Sequence, residues 1–116
     1  MIAFETIVSD PSLGRVWVLD QDKRPVGYMV LTLGFSMEYG GRDAFLDDFF
    51  IRRDYRGAGL GKAALKTFFD TCRLLDVRAV HLEVGWANTA AKALYAKFGF
   101  RDNDRQLLTR RLSLRL

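Results

Sequence analysis

The chain has 116 residues, 49% of them apolar and 13% aromatic, with a formal net charge of +4. That length predicts one domain, the apolar share is enough for a core, and intrinsic disorder is excluded. No apolar run nears the ~18 residues of a membrane span, and the single cysteine excludes an internal disulfide.

In chain order, residues 15–20 read as a strand, 21–25 as a polar turn and 26–35 as the strand returning in a hairpin. A loop over 36–43 contains Gly40-Gly41. The phenylalanine-rich run 44–51 then reads as a central strand covered on both faces. Leu60, Ala63, Ala64, Thr67, Phe68, Thr71, Cys72 and Leu75 recur at three- and four-residue spacing, which predicts an amphipathic helix over 60–75. Cys72 shares that spacing with Phe68 and Leu75, so it reads as a packing residue rather than a reactive thiol. Residues 79–84 form the next strand, and a strand–helix–strand crossover makes its two strands parallel. Asn88 is a good N-cap for a short helix with Ala91, Leu94, Tyr95 and Phe98 on one face, and Gly99 stops it. Residues 107–114 alternate less cleanly and suggest a last strand with one wet face.

The most informative stretch is Arg56-Gly57-Ala58-Gly59-Leu60-Gly61, between the central strand and the long helix. Glycines there let amide N–H groups converge on an anion at the mouth of a helix, whose dipole adds to the attraction. Lys62 is followed by Ala63, so the hydroxyl of a P-loop is missing, and the glycine spacing is wrong for a dinucleotide fingerprint. A turn without a ligand stays open on this pattern alone. Arg52, Arg53 and Arg56 stand near the loop, with more arginines late in the chain. They are interleaved with acids and show no stacking motif, so the basic charge suits an anionic ligand better than nucleic acid.

Residues 46–51, Leu-Asp-Asp-Phe-Phe-Ile, followed by 54–61, Asp-Tyr-Arg-Gly-Ala-Gly-Leu-Gly, resemble the central motif of the GNAT superfamily of acyl-CoA N-acyltransferases. Residues 88–100, from Asn88 through Tyr95 to Phe100, resemble its second motif. Within the superfamily the wording is closest to the diamine and polyamine branch, typified by spermidine/spermine N-acetyltransferase. The resemblance implies an α/β (α+β) fold with a mixed, mostly antiparallel sheet and a parallel β-α-β crossover. It implies that Arg56, Gly57, Ala58, Gly59, Leu60, Gly61 and Lys62 serve the pyrophosphate of acetyl-CoA. Phe49, Phe50 and Ile51 would hydrogen-bond the pantetheine arm like an added strand, beside a bulge that splays the strands. Asn88 either caps its helix only or also lies near the arm.

Acetyl transfer needs an amine freed of its proton and a proton for the departing thiolate. The resemblance gives the base role to Asp47, where the branch usually has Glu, and the binding of a substrate ammonium to Asp48. The shorter Asp47 favours a water relay. The alternative for both acids is pairing with arginine or capping a bulge. Tyr95 matches the tyrosine that protonates the thiolate, with packing as its alternative. Glu38, on the loop before the central strand, suits a cationic acceptor, with a surface acid as the commoner reading. His81 and Glu83 have no partner legible in the sequence and read as structural.

The family's usual first strand and two helices have no counterpart ahead of Arg15, so the resemblance implies an N-terminally shortened domain with exposed apolar surface. A homodimer covering that surface is expected, with truncation or loss of turnover as alternatives. The first nine residues carry no basic n-region, so a cytoplasmic address is the default. The expected reaction is direct transfer from acetyl-CoA to a primary amine, with no metal and no covalent enzyme intermediate. The alternative is a non-catalytic acyl-CoA-binding or regulatory domain.

Overall fold

A computed structural model describes residues 9–113. Strands β1 (Gly14–Gln21), β2 (Arg24–Ser36) and β3 (Gly41–Ile51) form an antiparallel meander, and β4 (Ala79–His81) adds to β3 in parallel, in the order β1-β2-β3-β4. Helix α1 (Leu60–Leu74) is the crossover between β3 and β4, and α2 (Thr89–Lys97) follows. The expected mixed, mostly antiparallel sheet with its parallel crossover is therefore present. No helix among the described residues is long and apolar enough to cross a membrane.

The first hairpin is tighter than the predicted five-residue turn. Asp22 and Lys23 both take positive φ, 53° and 62°, and close it in two residues, a backbone twist that matches that of the strands. The second hairpin is tighter too, because β2 runs to Ser36 and β3 resumes at Gly41.

Helix α1 turns Ala64, Leu65, Phe68 and Cys72 onto Met29, Leu31, Ala44 and Leu46 of the sheet, and these side chains make the core. Leu65, fully buried, belongs to the stripe, whereas Ala63 and Thr67 are exposed. Phe69 stacks on Phe98 at 5.8 Å between ring centroids and so ties α1 to α2. Such a pair contributes about 1 kcal/mol beyond its buried area.

Burial pushes the Cys72 thiol up to about 11, in keeping with a packing role. Iodoacetamide at about pH 8 should therefore leave it unmodified in the native chain and alkylate it after denaturation. Equal rates in the two states would contradict this burial. The native thiol keeps its proton to about 11, whereas an unburied one loses it near the ordinary 9.0. Stability must accordingly fall as pH rises through that window.

Two strand expectations need correction. Residues 107–113 are exposed and pair with no strand among the described residues, outside which Leu114 lies. Leu107-Leu108 and Arg110-Arg111 put like residues on opposite faces, so no single face is apolar enough to bury. Strand β4 stops at His81 instead of continuing to 84, because β3 changes course just beyond the last pair, Phe45 with His81.

Candidate active site

That change of course is a β-bulge. Leu31 pairs with Leu46 and Val30 with Asp48, leaving Asp47 as the extra residue between them. A bulge bends its strand and interrupts the ladder. Beyond Phe45, β3 has no partner on the side of β4 among the described residues, and an edge of that kind can pair with an extended ligand.

The chain then makes one 3-10 turn (Arg53–Tyr55) and enters the glycine loop. Arg56 anchors the entry: its Nε donates to Ile51 O at 2.8 Å, and its guanidinium lies 5.7 Å from the centre of the Phe50 ring. Gly57 and Gly59 have φ of 79° and 83°, the left-handed region that glycine tolerates, and a Cβ at either would meet nothing within 4 Å. Gly59 is the N-cap of α1 and offers no side chain to the first turn. Among the described residues the N–H groups of Leu60, Gly61 and Lys62 have no acceptor. Open space, unpaired donors and the positive end of a 15-residue helix fit a phosphate group. Gly61 has a different task, since its Cβ would stand 3.3 Å from Leu94 Cδ2 and 3.6 Å from Ile51 Cδ1. It lets α1, α2 and the end of β3 close together.

The acids are divided by the bulge. Asp47 is exposed, and its carboxylate has no partner among the described residues. Asp48 accepts from the Tyr28 hydroxyl at 3.1 Å. Tyr28 is pushed above the usual phenol range by burial and then by the Asp48 hydrogen bond and charge. Among the described residues neither acid pairs with an arginine.

Glu38 does: Arg105 Nη1 donates to both of its oxygens, at 3.0 and 3.1 Å, so this acid is engaged within the chain. Asn88 caps α2, its Oδ1 accepting from Ala91 N at 3.2 Å, which leaves its amide NH2 available. Tyr95 is half-buried, edge-on to Phe100 at 5.7 Å, and its hydroxyl has no partner among the described residues. Burial raises its pKa, so the phenol stays a proton donor at neutral pH.

One pair escaped the sequence. His81 Nε2 lies 3.1 Å from Asp43 Oδ2, and the imidazole packs between Phe45 and Tyr39. Only the strand register could have disclosed it, because the two residues are 38 apart in the chain.

Residues 1–100 match a family model described as the acetyltransferase (GNAT) family. Among curated proteins the chain is similar to an uncharacterized N-acetyltransferase of Bacillus subtilis, 34% identical over 91 residues, covering 78% of this chain and 57% of that protein. It is also similar to a spermine/spermidine N(1)-acetyltransferase of Bacillus subtilis, 37% identical over 93 residues, covering 69% of this chain and 60% of that protein. The chain thus spans less than two thirds of the length of either relative. Among solved structures, an integron cassette protein from the mobile metagenome of Cole Harbour Salt Marsh superposes with a TM-score of 0.87 at 44% identity. That superposition covers 98% of this chain and 70% of the other.

Proposed function

The chain belongs to the GNAT acetyltransferase family, and from that premise we propose that it moves an acetyl group from acetyl-CoA to a primary amine of a small molecule. The observation that carries this reading is the continuity of two features along one segment. A bulged strand edge leads, through Arg56, into a glycine loop, and among the described residues neither that edge nor the N–H groups at the loop's end have a partner.

Acetyl-CoA supplies an activated thioester. Backbone donors at the start of α1 hold its pyrophosphate, and backbone groups of Phe49, Phe50 and Ile51 pair with the amides of its arm. The exposed Asp47 takes the proton of the incoming ammonium through a water, since its side chain is short. Asp48, with one oxygen on Tyr28, holds a second cationic group of the acceptor. Tyr95 donates to the departing sulfur. The two exposed acids, together with the similarity to a spermine/spermidine N(1)-acetyltransferase, favour a diamine or polyamine.

Coenzyme A thiol release, measured with diamines, polyamines, amino acids and a basic peptide, tests the reading. Turnover is expected with the diamines or polyamines, and Asp47→Asn should lower it about 100-fold. Acetyl-CoA binding without turnover on any amine would instead identify a non-catalytic acyl-CoA-binding domain.

A further inference from the structure

The phosphate cradle is the N-terminus of α1, so on the reading just given the acyl donor arrives from the α1 side of the sheet. The amine then meets the thioester from the other face. Ala44 and Leu46 are buried against α1, and alternation along β3 places Asp43 and Phe45 on that other face. His81 joins them, with Nε2 at 3.1 Å from Asp43 Oδ2 and its ring 5.1 Å from that of Phe45 and 5.6 Å from that of Tyr39. The His81 and Asp43 side chains are only 27% and 18% exposed. His81 is also the last residue of β4 paired to β3. The dyad therefore stands at the fork where the two strands part, on the acceptor side.

We infer that His81, oriented by Asp43, is a second proton acceptor for the amine, working beside Asp47; this rests on the acetyl-transfer reading above. An ionised carboxylate only accepts hydrogen bonds. Facing Asp43, Nε2 therefore carries the hydrogen, and Nδ1 keeps the lone pair that can take a proton. Around the imidazole stand Asp43 and Phe45 from β3 and Tyr39 from the second hairpin, with the Glu38–Arg105 pair beside Tyr39, and the exposed Glu83 follows two residues along the chain. Among the described residues no lysine or arginine pairs with Asp43 or His81, so a proton held on the ring is balanced by the Asp43 carboxylate.

The ammonium gives its first proton through water to Asp47, which passes it to solvent. The freed nitrogen forms the C–N bond as the C–S bond breaks. The nitrogen gives its second proton to His81 Nδ1 while Tyr95 gives one to the sulfur, and Tyr95 recovers its proton from Nδ1 through water. Each acetyl transferred thus releases one proton to the medium.

The test is the pH dependence of kcat/KM for the full chain with acetyl-CoA and the best amine, for the parent and for His81→Gln, His81→Ala and Asp43→Asn. The parent should show an acid limb. His81→Gln should lower kcat/KM about 100-fold near neutral pH, flatten that limb and leave the KM for acetyl-CoA unchanged. Free imidazole should restore part of the activity of His81→Ala, and Asp43→Asn should give a smaller loss of the same sign. A variant profile that superposes on the parent's would overturn the inference. So would a loss confined to thermal stability and donor affinity with no imidazole rescue, which would mark the dyad as a clamp between β3 and β4. Failure of the parent to release thiol with every amine would remove the acetyl-transfer reading, and this inference with it. Release by the parent with an intact profile in the variants would remove this inference alone.

Discussion

Gly59→Val is expected to weaken acetyl-CoA binding about 100-fold while the chain stays folded. At φ 83° an L-residue carries strain of about 1–2 kcal/mol, and a branched side chain carries more. Nothing within 4 Å of the added Cβ would be displaced in the protein itself, so that strain is the main cost to the fold. The same open space is where a phosphate must approach the N–H groups of the first turn. A side chain there removes one or two hydrogen bonds to a charged group, each worth about 1.5–3 kcal/mol.

Gly61→Val gives the internal contrast. Its Cβ meets Leu94 and Ile51, so overpacking should cost about 1–3 kcal/mol of stability and shift donor affinity far less. Calorimetric titration with acetyl-CoA and a thermal melt separate the two effects. Parental affinity in Gly59→Val would remove the phosphate assignment.

Tyr95→Phe is expected to lower kcat about 100-fold with little change in the KM for acetyl-CoA and none in melting temperature. Phenylalanine preserves the edge contact with Phe100 and the half-buried position on α2. Only the hydroxyl is lost, and it has no partner among the described residues. Burial raises the phenol above its ordinary 10.0, so any decline in rate from its ionisation falls beyond that pH. Steady-state kinetics with acetyl-CoA varied at saturating amine makes the measurement. An unchanged kcat would reduce Tyr95 to a packing residue.

Features set by neighbouring residues were legible in the sequence. The stripe of α1, the Asn88 cap, the glycine loop and the parallel crossover all follow from spacing, turn chemistry or chain order over short distances. Features set by register were not. The Tyr28–Asp48, His81–Asp43 and Glu38–Arg105 contacts join residues 20, 38 and 67 apart; the first two depend on which strand residues face one another, and the third on where the C-terminal segment runs. The bulge shows the limit well. A bulge was expected from the resemblance, but only the pairing of Val30 with Asp48 and Leu31 with Leu46 assigns it to Asp47. Glu38, read as a contact for a cationic acceptor or a surface acid, is held by an arginine from the C-terminal segment, whose path is not written in its leucine pattern.

The central claim is direct acetyl transfer, and labelled acetyl-CoA tests it most directly. After incubation with a polyamine, the account predicts label in an amide of the amine, one acetyl for each thiol released, with none retained on the protein. Label bound but never transferred, or held covalently on the chain, would contradict it.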